Sequence, residues 1–303
     1  MCCLFGFYNY SGKPIKNLSE LTNALAREAT VRGTDATGIA YKHKGKIVIA
    51  KEGKSAEKIN FKHHNGITAL TGHTRHATQG SHLLNCNNHP FPGKCKNLSF
   101  ALAHNGVLMN DYSLKKKYNL PKTKIKTDSY VAVQLLEYKK HLNSETIKFM
   151  AEELSGSFAF SILDSLNTMW LVRGDSPLAL IHIPKYEIYI YASTEDILYK
   201  SLIDTPFFDE IKKGKTEEIP MRSGDILNFL PDGTIIHNKF NYSEYAGYES
   251  CKWWEFDMPP QSSYIDDIKA VAKYQGYSPD TIDELIKSGF TPEEIEEYIY
   301  CMD

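Results

Sequence analysis

Apolar and aromatic residues recur in short runs along the first 240 residues of the chain. The first run covers residues 2–10 and stops before Gly12 and Pro14, which are typical of a turn, so it predicts a strand. Residues 17–29 place their apolar side chains three and four positions apart, which predicts an amphipathic helix. The pattern therefore opens with a strand followed by a helix.

The segments that follow are strand-like or helical in separate blocks. Strands are predicted at residues 38–43, 46–51, 67–75, 98–108, 158–164, 169–173, 178–183 and 187–193. Helices are predicted at residues 128–141 and 144–154 and near Ile197, and a hairpin within 226–239. Separate blocks are typical of an α+β domain rather than of an alternating parallel fold. We expect this domain to span residues 2–240.

Residues 241–303 differ in composition from the preceding domain. Their first part is rich in tyrosine and tryptophan, so we expect an aromatic connector that packs on the domain. Ser278 and Thr291 each precede a proline, which is the arrangement of a helix N-cap with proline at the first helical position. Residues 281–303 hold seven acidic side chains and one lysine, which fits solvated helix faces or a surface for a basic partner. We predict a short, acidic helical extension.

The overall charge excludes several classes of partner. The 303 residues include 35 basic and 37 acidic side chains, so no positive field attracts nucleic acid or anionic lipid. No apolar run approaches the roughly 18 residues that a membrane span needs. The 6 cysteines and 11 histidines match no disulfide framework and no common metal-ligand spacing. We expect a cytoplasmic protein that needs no metal, cofactor, membrane or nucleic acid.

Cys2 is the first residue that could carry chemistry. Removal of Met1, which is usual before a small residue, would leave a thiol and a free α-amino group on one residue. An α-amine titrates near 7.7 to 8.0 and a thiol near 8.5, so the amine can accept the thiol proton without a histidine. The position alone also allows a buried small hydrophobic residue or a lipidated Cys2-Cys3 pair.

Three further positions could bind or stabilise a charged substrate. Only five basic residues are arginines, and Arg75 ends a predicted strand, where its guanidinium could bind a carboxylate or form a structural ion pair. Asn105-Gly106 could form an oxyanion hole, although this dipeptide is also common in hairpin turns. Asp128 could bind an ammonium group or act as the N-cap of the following helix.

Several short motifs occur in an order that resembles the glutaminase domain of the class II glutamine amidotransferases, which are N-terminal nucleophile (Ntn) hydrolases. The matching segments include Met1-Cys2, Phe5-Gly6, Arg32-Gly33-Thr34-Asp35, Gly72-His73-Thr74-Arg75, Asn88-His89-Pro90-Phe91, His104-Asn105-Gly106, Thr127-Asp128 and residues 154–160. The glucosamine-6-phosphate synthase branch is the most similar. The resemblance implies a four-layer αββα sandwich.

The resemblance also implies a reaction. Cys2 would attack the side-chain amide of L-glutamine, with its own α-amine as base, and Asn105 and Gly106 would stabilise the oxyanion. Arg75 would bind the substrate α-carboxylate, and Asp128 would bind its α-ammonium. Three more residues are carried over as substrate-binding residues near the site: Thr78, His89 and Arg32. The products would be glutamate and ammonia.

The chain departs from the family pattern beside the expected site. Cys3 stands where glycine usually follows the nucleophile, and its side chain should point to the opposite face of the strand. His76 stands where tryptophan usually follows the motif arginine. These departures keep two alternatives open: a glutamine-binding regulatory subunit with little turnover, and an Ntn hydrolase of another amide.

The last segment bears on where the ammonia would go. The roughly 60 residues after residue 240 are too few for the acceptor domains of this family. We therefore expect the ammonia to reach an acceptor on a separate synthase or transferase subunit.

Overall fold

Two antiparallel β-sheets form the centre of the fold. The computed structural model describes residues 2–96, 98–242, 269, 278–290 and 295. The chain divides into two units, Met1–Glu244 and Tyr245–Asp303. The first unit contains, in chain order, β1 (Cys3–Asn9), α1 (Leu18–Glu28), β2 (Ala36–His43), β3 (Lys46–Glu52), β4 (Ala69–Arg75), β5 (Phe91–Cys95), β6 (Leu98–Leu108), α2 (Asp111–Lys117), α3 (Tyr130–Lys139), α4 (Ser144–Glu153), β7 (Gly156–Asp164), β8 (Met169–Arg173), β9 (Ala179–Ile183), β10 (Ile188–Ala192), α5 (Glu195–Leu202), α6 (Phe208–Lys212), β11 (Glu217–Glu218), β12 (Asp225–Phe229) and β13 (Ile235–Lys239).

The strand order places the first strand inside its sheet. The first sheet has the order β11-β9-β10-β1-β4-β2-β3, and the second has the order β13-β12-β8-β7-β6-β5. Neighbouring strands in both sheets pair antiparallel. β1 is thus hydrogen-bonded on both edges, which fixes the start of the chain at the middle of the first sheet.

Three apolar clusters define four layers. One cluster packs α1 and α5 on the outer face of the first sheet, with Phe5 and Leu25 among its members. A second packs α3 and α4 on the second sheet, with Leu136 and Phe160 among its members. The third joins the inner faces of the two sheets and includes Leu171. The order helix, sheet, sheet, helix confirms the predicted α+β class and the αββα sandwich.

β1 is buried on both faces. Phe5 and Phe7 pack toward the helices, whereas Leu4 and Tyr8 pack between the sheets. All seven residues of the strand are buried, which accounts for its nearly continuous apolar sequence. Cys3 lies on the helix side, so the prediction that its side chain points away from the inner face is confirmed.

The second unit is described in part. Its helix α7 (Pro279–Lys287) follows Ser278, whose hydroxyl accepts a hydrogen bond from the Asp280 N–H at 3.3 Å. The cap predicted at Ser278 is therefore confirmed. The cap predicted at Thr291 and the aromatic connector lie outside the described residues. None of the helices that the structure describes is long and apolar enough to cross a membrane.

Candidate active site

Residues from several elements meet at one end of the two sheets. β1 and β4 pair with Cys3 opposite Thr74, which puts Cys2, just before β1, beside Arg75 at the end of β4. Because side chains alternate along a strand, Cys2 shares the inner face with Leu4, which packs between the sheets. The register thus brings the thiol and the guanidinium to the same end of the interior.

Cys2 is partly exposed, and a hydrogen bond to its backbone holds it in place. Its carbonyl accepts a hydrogen bond from Arg32 Nε at 2.8 Å, and its Sγ lies 3.5 Å from the carbonyl oxygen of His76. Burial raises the pKa of the Cys2 thiol, while the nearby Arg75 charge lowers it and the Asp128 charge raises it. These three side chains are therefore close enough to interact electrostatically.

Arg75 is nearly enclosed by the loop that follows it. Only 3% of Arg75 is exposed. Its NH1 donates to Asn88 Oδ1 at 2.9 Å, and its NH2 donates to the carbonyl oxygens of Gly80, at 2.7 Å, and Gln79. Burial lowers the pKa of Arg75, and the neighbouring Cys2, Asp35 and Asp128 act in the opposite direction. Among the described residues, the hydrogen-bond partners of the Arg75 guanidinium are neutral oxygens, and no carboxylate forms an ion pair with it.

Gly106 lies inside a strand rather than in a turn. It belongs to β6 and pairs with Phe158 of β7, so the alternative reading of Asn105-Gly106 as a hairpin turn is wrong. Its φ is +140°, and a Cβ at this position would lie 2.0 Å from the Ser157 carbonyl oxygen. Only glycine fits this backbone conformation and spacing. The backbone conformation and the close Ser157 carbonyl therefore explain why this motif has glycine at position 106.

Asn105 is tied to β1 through a serine that the sequence did not single out. Its Nδ2 lies 3.3 Å from Ser193 Oγ, which also accepts a hydrogen bond from the Leu4 N–H at 2.8 Å. Ser193 is completely buried at the end of β10. In the sequence Ser193 is followed by Thr194 and two acidic residues, a pattern typical of the start of a helix. This local pattern does not predict the contact between Ser193 and Asn105.

Asp128 turns toward β6. Its Oδ2 accepts a hydrogen bond from the Leu108 N–H at 2.7 Å, and its Oδ1 accepts one from Ser129 Oγ at 3.2 Å. Ser129 occupies the N-cap position of α3 without a capping side-chain hydrogen bond, and the Asp128 carboxylate does not cap the helix either. The alternative reading of Asp128 as an N-cap is thus wrong, and the carboxylate lies two residues along β6 from Gly106.

Three histidines stack at the same end of the interior. The rings of His73 and His89 have centroids 4.1 Å apart, and His89 Nδ1 accepts a hydrogen bond from the His104 N–H at 3.0 Å. Burial lowers the pKa of His73 to about 3 and also lowers the pKa values of His89 and His104, so the stack is neutral near pH 7. Within the described part of the chain, no group of three or more histidine, cysteine, aspartate or glutamate side chains could hold a metal ion.

The segment after β4 carries Thr78. The Ala77 N–H donates to Asp35 Oδ2 at 2.7 Å, and the Gly80 carbonyl accepts from Arg75. Thr78 lies exposed between these two anchored positions. The structure therefore places Arg32, Arg75, Asn105, Gly106, Asp128 and Thr78 at the same end as Cys2, with His89 buried against the histidine stack.

Comparisons with known proteins agree with this arrangement. A family model described as glutamine amidotransferase domain matches residues 73–200. The glutamine–fructose-6-phosphate aminotransferase (isomerizing) of Staphylococcus aureus is 34% identical over 59% of this chain and 30% of its own length. The amidophosphoribosyltransferase of Methanocaldococcus jannaschii is 29% identical over 96% of this chain and 65% of its own.

A solved structure shares the fold. The glutamine phosphoribosylpyrophosphate amidotransferase from B. subtilis, complexed with ADP and GMP, covers 80% of this chain with a TM-score of 0.57 and 22% identity, over 50% of its own chain. The present chain thus spans between 30% and 65% of the length of these three relatives. Residues 73–200 are therefore similar to a glutamine amidotransferase domain, and the two-sheet fold is shared with a solved amidotransferase structure.

Proposed function

We propose that this domain hydrolyses the side-chain amide of L-glutamine, with the Cys2 thiol as nucleophile. The observation that carries the proposal is the meeting of Cys2, Arg75 and Asp128 beside the Asn105-Gly106 segment at one end of the sheets. A nucleophile, a cation, an anion and a pair of neutral donors are the groups that an amino-acid amide requires. The names of the relatives, which are glutamine-dependent transferases, support the same reaction class.

The chemistry starts from a processed N-terminus. Removal of Met1 gives Cys2 an α-amine that accepts the thiol proton, and Sγ attacks the amide carbon of glutamine. Asn105 Nδ2 and the Gly106 N–H donate to the oxyanion of the tetrahedral intermediate, each donor contributing about 3 kcal/mol to lowering the barrier. The protonated α-amine of Cys2 returns the proton to the leaving nitrogen of glutamine, ammonia departs, and a thioester remains. Water then attacks the thioester and releases glutamate and the free thiol.

Two charged side chains recognise the amino-acid end of the substrate. Arg75 binds the α-carboxylate, and Asp128 binds the α-ammonium. Arg75 is 3% exposed and Asp128 is 9% exposed, so substrate charges here are shielded from water and their pairing is stronger than at an open surface. Thr78, Arg32 and His89 complete the binding residues of the proposal.

The acceptor of the ammonia is proposed to reside on a separate synthase or transferase subunit. Residues 245–303 form the second unit, in which the structure describes the helix α7 (Pro279–Lys287). The named relatives act on fructose-6-phosphate or on a phosphoribosyl group, and we assign neither acceptor to this chain.

One observation favours a second candidate function. Burial raises the pKa of the Cys2 thiol and so opposes formation of the thiolate, and a domain with slow turnover would act as a glutamine-binding regulatory subunit. Glutamine binding without glutamate release distinguishes this function from hydrolysis. Activity on another amide is the third candidate, and it requires that turnover survive Arg75→Ala.

The test is the intact mass of the protein before and after incubation with a glutamine-mimicking diazoketone, followed by peptide mapping. We expect a mass that lacks Met1 and a single adduct on Cys2, with glutamate release from L-glutamine by the unlabelled protein. Cys3→Ser should label like the wild type, and Cys2→Ala should not label. Retained Met1, or an adduct on Cys3 or nowhere, contradicts the proposal.

A further inference from the structure

We propose that Asn88, held in place by Lys51, is a positioning residue that sets Arg75 for binding the substrate α-carboxylate. This inference rests on the proposed glutamine site and extends it to Asn88, which lies in a matching segment but received no role there, and to Lys51, which lies in none. The juxtaposition that carries it is a chain of hydrogen bonds from the edge strand β3, through the 85–90 loop, to the guanidinium of Arg75.

The side-chain amide of Asn88 can take only one orientation. Asn88 is 1% exposed, and its Nδ2 donates to the His82 carbonyl oxygen at 2.7 Å and to Asn85 Oδ1 at 3.2 Å. Both donors are therefore used on oxygens, and Oδ1 is left to accept from Arg75 NH1 at 2.9 Å. A flipped amide would place donor against donor at Arg75 and acceptor against acceptor at the His82 carbonyl. Asn88 is thus a fixed, neutral acceptor for one edge of the guanidinium.

A neutral acceptor is suited to this position. A carboxylate there would form an ion pair with Arg75 and compete with the carboxylate of the substrate. An amide oxygen orients the guanidinium and leaves its positive charge for the ligand. The contacts with the Gly80 and Gln79 carbonyls are also to neutral oxygens, so these hydrogen bonds leave the charge of Arg75 unpaired among the described residues.

Lys51 fixes the backbone that carries Asn88. Its Nζ donates to the Asn88 carbonyl oxygen at 2.5 Å and to the Pro90 carbonyl oxygen at 3.1 Å, and lies 5.2 Å from the centre of the Phe91 ring. Burial lowers the pKa of Lys51 to about 8, and the nearby Arg75 charge lowers it too. A lysine kept here at this electrostatic cost holds the loop at both sides of His89.

A glycine makes the contact possible. Gly38 of β2 stands opposite Lys51 of β3, and a Cβ on Gly38 would lie 2.1 Å from the His89 carbonyl oxygen and 2.7 Å from Lys51 Cβ. The bare backbone lets the 88–90 segment lie directly against the sheet, within reach of Lys51. Gly38 thus has a role in placing the loop.

The test compares L-glutamine with L-glutamine α-amide, in which a neutral carboxamide replaces the α-carboxylate. Side-chain hydrolysis of the analogue is measured as isoglutamine formed. Asn88→Ala should lower the ratio of kcat/KM for glutamine to kcat/KM for the analogue about tenfold, mainly through KM for glutamine, because only glutamine offers a carboxylate to Arg75. If the variant lowers kcat/KM for both substrates equally, Asn88 is merely structural and the inference is wrong.

Asn87→Ala is the matched control. Asn87 is equally buried in the same loop, but it bonds to the Ser81 carbonyl and the Lys126 N–H and not to Arg75. We expect this variant to leave the substrate ratio within about twofold of the wild type, since any loosening of the loop affects both substrates. A tenfold drop in the ratio for Asn87→Ala would show that the effect is not specific to Asn88, and would contradict the inference.

Lys51 supplies the second, independent variant. Lys51→Met keeps the apolar stem and should lower the same ratio several-fold, whereas Lys51→Arg should restore it, because a cation can again reach both carbonyls. The double variant Lys51→Met with Asn88→Ala should match Asn88→Ala alone, since both act through one chain of bonds. If Asn88→Ala does not fold, the Lys51 pair decides the inference alone, and an unchanged ratio in Lys51→Met overturns it.

The outcome also separates this inference from the function on which it rests. If the wild-type protein binds glutamine without turnover, the same ratio is taken from calorimetric Kd values. If it neither binds nor hydrolyses glutamine, the proposed function and the inference fall together. If it is active and the ratio is insensitive to both positions, only the inference falls.

Discussion

Gly106 shows how a single residue is dictated by backbone geometry. Its φ of +140° is a conformation that side chains rarely adopt, and the Ser157 carbonyl occupies the space of a Cβ. The sequence could predict Asn105-Gly106 as donors from the motif. The Asn105-Gly106 dipeptide alone could not distinguish a strand from a turn, because it occurs in both. The pairing of β6 with β7 decides between them.

We expect Gly106→Ala to lower the free energy of unfolding by more than about 2 kcal/mol, because strain and overpacking add. Gly45→Ala is the control: Gly45 also has a positive φ, +74°, but nothing lies within 4 Å of a Cβ there. Its cost should be about 1 kcal/mol. Urea unfolding of both variants measures the difference. Equal losses in the free energy of unfolding would show that the chain relieves the contact with the Ser157 carbonyl at no cost in stability.

Asp164 makes stability depend on pH. The carboxylate is 2% exposed at the end of β7, and its Oδ1 accepts hydrogen bonds from the Leu166 and Thr168 N–H groups. Burial raises the pKa of Asp164 from 3.8 to about 6. The folded state therefore keeps a proton between these values that the unfolded state has lost.

This raised pKa predicts a loss of stability as pH rises from 4 to 7, by up to about 3 kcal/mol. Asp164→Asn cannot titrate and can still accept both backbone hydrogen bonds, so its advantage over the wild type should grow across the same range. Urea unfolding of both proteins at pH 4 and pH 7 tests this. A constant difference between them would mean that Asp164 has an ordinary pKa.

At the level of elements, the end of β10 links β1, which follows Cys2, to β6, which carries Asn105. Ser193, at its end, accepts from the Leu4 N–H of β1 and contacts the Asn105 amide of β6. One hydroxyl thus links β1 with β6 across the gap between the two sheets.

We expect Ser193→Ala to lower kcat for glutamine about tenfold with little change in KM, because the Asn105 amide loses a partner that orients it. The unpaired Leu4 N–H should also cost about 1 to 3 kcal/mol of stability. Ser201→Ala removes another buried serine hydroxyl, one that bonds within α5, and should reduce stability while leaving kcat unchanged. An equal loss of kcat in both variants would contradict a specific role of Ser193.

The pattern of apolar residues predicted most elements, and the exceptions have physical reasons. Residues 98–108 and 169–173 were predicted as strands with the observed bounds. β5 was missed because Pro92 and Gly93 interrupt its sequence, and an edge strand tolerates both. α2 and α6 were also missed, because each is short and buries a single side chain, Leu114 and Glu210 respectively, which leaves no periodicity to detect.

At the level of the whole molecule, the first unit contains every residue assigned to the site. The Arg75, Asn105 and Asp128 positions followed from motifs in the sequence, whereas Ser193, Asn88 and Lys51 act through contacts between segments far apart in the chain. Such contacts depend on strand order and register, which no local pattern encodes.

A chain that ends after Glu244 should therefore retain glutamine hydrolysis within about twofold of the full chain. Its three apolar clusters lie within the first unit, and their first and last buried members in sequence are Cys3 and Phe240. Glutamate release and thermal unfolding of both forms provide the measurement. Loss of activity in a truncated protein that remains folded would show that residues 245–303 take part in catalysis.

The central place of β1 also has a consequence for biosynthesis. One of its neighbours, β4, ends at Arg75, but the other, β10, is not translated until residues 188–192. At about 5 to 20 residues per second, ribosomes need roughly 10 to 40 seconds to reach β10 after making β1. Throughout that interval one edge of the first strand has no partner, so the enzymes that trim nascent chains have time to expose Cys2 before folding encloses it.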